Sequence, residues 1–153
     1  MDFHLDKLLA LPDVTVESCR DMEDYVCLNL RLLSDGITCP HCQHYTEEVH
    51  QNRPILVRDL SICGRGVYLK VPRRQFVCVQ CGKHTTEPLE FLQQFRRHTT
   101  RYEEHIYQRV VATNIEQVGR EEQLKYDEIK GIFDHIHNQR QKKMATSIAF
   151  EYR

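Results

Sequence analysis

Four cysteines in two pairs, Cys39-Pro40-His41-Cys42 and Cys78-Val79-Gln80-Cys81, are the residues of this chain best spaced for chemistry, with 35 residues between Cys42 and Cys78. The two-residue gap inside each pair lets both thiolates of a tight turn point at one ion, so together they offer four sulfurs to a tetrahedral zinc. Gly82, directly after the second pair, can take the positive φ that turns backbone amides toward the sulfurs. Four cysteines leave no open coordination position, so Cys39, Cys42, Cys78 and Cys81 are expected to hold one structural zinc. His41, His44 and His84 are then expected to be polar surface residues. A Cys-Pro-His-Cys run alone also suits a thiol-disulfide oxidant with a low-pKa first cysteine, but that reading leaves the second pair unexplained.

At 153 residues the chain has room for one ordinary domain or two to three small ones, with 41% hydrophobic and 28% charged residues. No apolar run approaches the ~18 residues of a membrane span. The acidic start, Met1-Asp2-Phe3-His4-Leu5-Asp6, does not resemble a signal peptide, so a cytoplasmic location is expected. Seven cysteines is an odd count, and Cys19, Cys27 and Cys63 are scattered, which fits a reducing compartment with metal in place of disulfides.

The net charge of −1 conceals a strong division along the chain. Residues 1–52 carry 3 Lys/Arg against 10 Asp/Glu, residues 53–101 carry 10 against 3, and residues 102–153 carry 8 against 9. A basic middle third is the footprint of a phosphate-bearing partner, although a solvated basic face needs none.

The elements that must position these residues follow from periodicity. Asp2 to Leu11 reads as a short amphipathic helix ended by Pro12. Val14 and Val16 alternate with polar residues, and Tyr25 to Leu33 places Val26, Leu28, Leu30 and Leu32 on one face, a β-hairpin with one buried side. Cys27 shares the opposite face with Asn29 and Arg31. Between the cysteine pairs, Tyr45–His50, Ile55–Leu60, Val67–Val71 and Arg73–Cys78 suggest a small antiparallel sheet closed by the zinc. So few apolar residues cannot offset chain entropy alone, and metal binding becomes folding energy.

Three helical patterns follow. Thr100 with Glu103 reads as a capping box ahead of Tyr102, Ile106, Val110 and Val111 on one face. Asn114 is a good N-cap for a second helix through Val118. Tyr126, Ile129, Ile132, Phe133 and Ile136 fall at helical spacing in the third, whose first turn is expected to be loose because Lys125 replaces a capping Ser or Thr. Three short helices with tight connections suggest a helix-turn-helix, with Lys125, Tyr126, Lys130 and Asn138 on or beside the outer face of the third. A packing or dimerisation unit would show the same pattern. The fold class expected is α+β: an N-terminal helix and β-hairpin (1–35), a zinc-ribbon-like sheet (36–90), a three-helix helix-turn-helix (95–140) and a tail (141–153).

Cys-Pro-His-Cys, His50, Arg58-Asp59-Leu60, Gly64, Val67-Tyr68-Leu69, Arg73-Arg74-Gln75-Phe76-Val77-Cys78, Cys81, Phe95-Arg96-Arg97-His98-Thr99-Thr100 and Tyr102 in this order resemble the N-terminal portion of the ISL-three family of bacterial insertion-sequence transposases, over roughly residues 1 to 140. The resemblance implies a zinc-ribbon-like module and a helix-turn-helix that bind the terminal inverted repeats of a mobile element as double-stranded DNA. It implies Cys39, Cys42, Cys78 and Cys81 as zinc ligands and the helices from Tyr102 to Asn138 as the end-binding domain. Transposases of this family continue into an RNase-H-like domain with three metal-holding carboxylates, a domain this chain is expected to lack. The expectation is thus a non-enzymatic DNA-binding segment, with Arg73, Arg74, Arg96, Arg97 and Arg101 on phosphates and the third helix choosing sequence. The alternative is an interaction module, with the acidic first third and the apolar helix faces serving a homodimer or pairing with full-length transposase.

Overall fold

A computed structural model describes residues 3–151. The chain divides into two compact units, Met1–Thr99 and Thr100–Arg153. The first runs α1 (Phe3–Leu9), β1 (Val14–Asp21), β2 (Tyr25–Leu32), β3 (Ile37–Thr38), β4 (Tyr45–Thr46), β5 (Val49–Asn52), β6 (Ile55–Ile62), β7 (Arg65–Val71), β8 (Arg74–Val77) and β9 (His84–Thr86). The second holds α2 (Thr100–Ala112), α3 (Ile115–Glu122) and α4 (Tyr126–Glu151).

Helix α1 ends where Ala10 turns to φ 50°, ahead of Pro12; its expected start at Asp2 lies outside the described residues. Asp6 accepts from the Thr15 hydroxyl and from the Val16 N–H, both at 2.7 Å, which pins the helix to β1. The Thr15 hydroxyl and then the Val16 N–H hold the Asp6 carboxyl below its ordinary range.

Strands β1 and β2 form the expected antiparallel hairpin, with Leu28, Leu30 and Leu32 buried. Its partners differ from the expected ones. Ile55–Leu60 and Val67–Val71 lie in β6 and β7, and these join the hairpin in one four-stranded sheet of order β1-β2-β7-β6 instead of the zinc-ribbon sheet. Strand β7 runs parallel to β2, with Leu28 beside Leu69, and antiparallel to β6. Alternation reveals an apolar face but not the face it pairs with. Val57, Val67, Leu69 and Val71 share one core with Val14, Val16, Leu28, Leu30 and Leu32, a burial that neither hairpin achieves alone. Cys63 (φ 50°) and Gly64 (φ 75°) form the tight loop between β6 and β7, where two successive positive φ angles match the twist of the strands.

Strand β6 is an edge of that sheet, and the segment before α2 is tied to it. The Arg58 N–H donates to the Arg97 carbonyl and the Thr99 N–H to the Arg58 carbonyl, both at 2.9 Å. The Thr99 hydroxyl donates to the buried Asp59 carboxylate at 2.7 Å. This covering satisfies part of an edge that would otherwise be open for pairing. Thr99→Val, nearly equal in volume, removes a hydroxyl donor to a buried anion and is expected to cost about 2 kcal/mol. Urea unfolding would check it; an unchanged midpoint would show that the hydroxyl has no structural role.

In the second unit, Tyr102, Ile106 and Val110 of α2 are buried as expected, but Val111 is 61% exposed. It stands ~100° round the helix from Val110 and turns away from the core. The expected Thr100–Glu103 capping box does not form, because Thr100 already lies inside the helix and its Oγ1 is buried without a hydrogen-bond partner. Asn114 does cap α3, its Oδ1 accepting the Gln117 N–H at 2.8 Å. That helix runs past Val118 to Glu122, and left-handed Gln123 ends it. The Tyr102 hydroxyl and Arg109 both donate to Glu122, joining α2 to α3.

Ile129, Ile132 and Ile136 of α4 are buried, and Phe133 stacks on Tyr107 with centroids 5.0 Å apart. Tyr126 falls outside this core face and is half exposed. The first turn is better held than Lys125 suggested, since the Glu128 carboxylate accepts the Lys125 N–H at 3.3 Å, half of a capping box. The helix also continues through the expected tail to Glu151. Residues 139–151 contain no Gly or Pro, and Gln, Arg, Lys, Met and Ala make up more than half of them, so nothing local stops it. No helix among the described residues is long and apolar enough to cross a membrane.

Candidate metal centre and arginine cleft

The two cysteine pairs fold into nearly identical turns. The Cys39 N–H donates to the His44 carbonyl and the Gln43 N–H to the Cys39 carbonyl, at 2.8 and 2.9 Å. In the second turn, the Cys78 N–H donates to Lys83 and the Gly82 N–H to Cys78, at 2.9 and 2.8 Å. Gln43 (φ 63°) and Gly82 (φ 73°) occupy the same left-handed place one residue after each pair. Gly82 was legible as that residue. Gln43 was not, because only the fold forces a side-chain-bearing residue into a conformation that favours glycine.

Strands hold the turns face to face. Strands β3 and β4 flank the first, pairing Ile37 with Thr46 and Thr38 with Tyr45. Strands β8 and β9 flank the second, and β5 completes a three-stranded sheet of order β5-β8-β9. The Thr46 hydroxyl donates to the Val77 carbonyl at 2.9 Å and links the two halves. At Gly36 a Cβ would stand 2.2 Å from the Thr46 carbonyl oxygen, so only glycine allows this approach.

The four sulfurs lie within 4.8 Å of one another, Cys39 to Cys81 at 3.7 Å and Cys42 to Cys78 at 3.5 Å. Sulfurs placed tetrahedrally at the usual zinc–thiolate bond length stand about 3.8 Å apart, so the donor set fits one zinc with all four positions filled. Burial works against ionisation of Cys39, yet the Cys42 and His41 N–H groups and the neighbouring thiols lower its pKa overall. The Cys81 N–H is the largest influence bringing Cys78 down to about 6, against burial. Cys42 receives the His44 N–H, which pulls its thiol down, but burial and the neighbouring sulfurs push it up to about 12. Amides aimed at sulfur are what a bound thiolate needs.

All seven cysteines are free, and Cys19, Cys27 and Cys63 take no part in the cluster. Both pairs sit in strand-flanked turns and not at the start of a helix, the setting that activates the first thiol of a disulfide oxidant. His41, His44 and His84 are exposed, and His84 packs edge-on to His50 with centroids 4.4 Å apart.

The arginines separate into two groups. Arg74 is not presented for phosphate: its Nε and Nη2 donate to both Glu87 oxygens at 2.8 and 2.7 Å, and Nη2 also donates to the Ser34 carbonyl. Its guanidinium lies over Phe76 and its side chain is 14% exposed, so it braces the ribbon. Arg73, Arg96 and Arg97 instead line one cleft of about 320 Å³, with Ile55, Thr86, Gln93, Gln94 and Phe95. Arg73 donates to the Glu87 carbonyl at 3.1 Å, and burial lowers its pKa from the ordinary arginine value. Phe95 is not among the contact residues expected from the sequence, although its place directly before Arg96-Arg97-His98 is a usable signal. It is 93% exposed and held at φ 62°, a left-handed conformation that costs a non-glycine residue about 1 to 3 kcal/mol.

In the helical unit, Arg101 is half-buried at the start of α2. Lys125, Tyr126 and Lys130 are exposed at the start of α4, opposite in burial to Ile129. Lys130 pairs with Asp134 at 2.6 Å, and that contact raises the pKa of the lysine. Asn138 is exposed further along the same helix.

Residues 35–81 match the family described as the zinc-finger of transposase IS204/IS1001/IS1096/IS1165. Over 115 residues the chain is 34% identical to the transposase for insertion sequence element IS1001 of Bordetella parapertussis. That stretch is 75% of this chain but 28% of the relative, so the chain corresponds to a little over a quarter of that protein. No solved structure matches the chain. The matched residues span both cysteine turns, whose sulfurs are set for one structural zinc, so residues 35–81 are similar in sequence and in metal-site geometry to the zinc-finger region of these transposases.

Proposed function

We propose that this chain is a DNA-binding segment of a transposase, recognising the terminal inverted repeats of its element in the bacterial cytoplasm and leaving strand cleavage to other parts of the machinery. The observation that carries the reading is the convergence of Arg73, Arg96 and Arg97 on one cleft in the unit that contains the transposase zinc ribbon. Backbone phosphates supply most of the affinity of such proteins, and clustered arginines are the side chains that collect it. In this reading α2, α3 and α4 act as a helix-turn-helix, and α4 enters the major groove by its first turns, where Lys125, Tyr126 and Lys130 are exposed. Arg101 adds a phosphate contact.

The test is a fluorescence-anisotropy titration of the zinc-loaded chain against the terminal repeats of the element, beside a scrambled duplex, across a salt series. Salt-dependent binding at least ~1,000-fold tighter to the repeat is expected. Equal, weak binding to both duplexes would remove the end-recognition reading. Lys130 must exchange Asp134 for a base edge, so Lys130→Ala is expected to cost about tenfold on the repeat and less than about twofold on the scrambled duplex. Equal losses on the two would make Lys130 a phosphate contact.

A second reading has its own observation. The last turns of α4 expose Met144, Ile148 and Phe150, apolar residues suited to assembly with another chain. The chain would then pair with full-length transposase and inhibit it. Sedimentation of the chain mixed with the full-length protein, in the absence of DNA, separates this from the first reading.

A further inference from the structure

Phe95 occupies a place that ordinary packing does not explain. The Arg96 N–H donates to the Gln93 carbonyl at 3.2 Å, closing a turn whose third residue is Phe95. The backbone there takes a positive φ of 62°, a conformation at that turn position that usually carries glycine, yet a large aromatic holds it. The ring gains nothing from burial, being 93% exposed. It projects beside a cleft of about 320 Å³ flanked by Arg73, Arg96 and Arg97, and among the described residues no carboxylate lines that cleft. The Asp59–Thr99 hydrogen bond and the backbone bonds at Arg58 hold the segment just after the turn against β6.

We propose that this cleft receives a single nucleobase displaced from the DNA duplex, the base stacking on the Phe95 ring while Arg73, Arg96 and Arg97 hold the flanking phosphates. An exposed aromatic among arginines matches a polyanion that also bears flat aromatic faces. A paired base is stacked on both sides and offers no face, so the complement is an unpaired or flipped one. The volume is ample for one base, and the Gln94 amide on the wall can donate to and accept from a base edge. The inference rests on the DNA-binding reading above and adds the state of the DNA that is bound.

The test compares a short fully paired duplex with the same duplex carrying one unpaired adenine, titrated with the zinc-loaded full chain at several salt concentrations. The bulged duplex is expected to bind about tenfold more tightly. Phe95→Ala is expected to abolish that preference without changing the salt slope or the zinc content, and Phe95→Trp to retain it. Equal wild-type affinity for both duplexes, or an undiminished preference in Phe95→Ala, overturns this inference while leaving salt-dependent duplex binding intact. No salt-dependent binding to either duplex overturns the DNA-binding reading, and this inference with it.

Discussion

Cys39→Ser protein is expected to retain less than about a tenth of the bound zinc and to lose the ordered ribbon, because metal binding in a site of this kind is itself folding energy. The strands around the cluster are too short to persist without it: β3 and β4 have 2 residues each and β9 has 3. Cys39 is 1% exposed, so a serine there also leaves a buried hydroxyl facing three thiolates. Metal analysis of the purified variant, with amide exchange across residues 35–86, measures both effects. The four-stranded sheet has its own core of aliphatic side chains, and the helical unit has Tyr102, Ile106, Ile129, Ile132 and Ile136. Far-UV circular dichroism should therefore keep its helical signal while the ribbon amides lose protection. Full zinc content with unchanged protection would show that three sulfurs suffice, and the four-cysteine site would have to be redrawn.

The second large effect is expected from Arg96→Ala combined with Arg97→Ala. Each phosphate contact contributes about 0.9 to the slope of log affinity against log salt, so the slope should flatten by about 2. Relative to 1 M salt, two lost contacts amount to about 60-fold weaker binding at 0.1 M. The loss should be the same on repeat and scrambled duplexes, since phosphates carry no sequence information. Arg74→Ala is the contrasting variant. With its guanidinium held by Glu87 and the Ser34 carbonyl, it should destabilise the ribbon and leave the slope of the folded fraction unchanged. An unaltered slope in the double variant would remove Arg96 and Arg97 from the contact set and direct attention to the helical unit.

These two outcomes also separate what was legible in the chain from what was not. The zinc cluster could be read directly, because two-residue spacing and sulfur chemistry are local and hold in whatever frame surrounds them. Gly82, the Asn114 cap, the buried face of β2 and, apart from Val111 and Tyr126, those of α2 and α4 were legible for the same reason, being set by period or by a single backbone conformation. The arginines were not. Arg73 and Arg74 are neighbours of identical type, yet one lines the cleft and the other is locked to Glu87, a residue 13 positions away that nothing in the local pattern singles out.

By itself, then, the sequence determined the four-cysteine zinc cluster, the N-terminal hairpin, the starts of the three helices and most of their apolar faces. The tertiary structure alone decided that β6 and β7 leave the ribbon to join the N-terminal hairpin. It also decided that Asp59 is a buried anchor for Thr99, and that Phe95 stands exposed among three arginines. Ligand spacing and periodicity act over a few residues of chain. Strand partnership, burial of a carboxylate and convergence of charges depend on segments tens of residues apart, and the competition among their pairings is settled only when the whole core is closed.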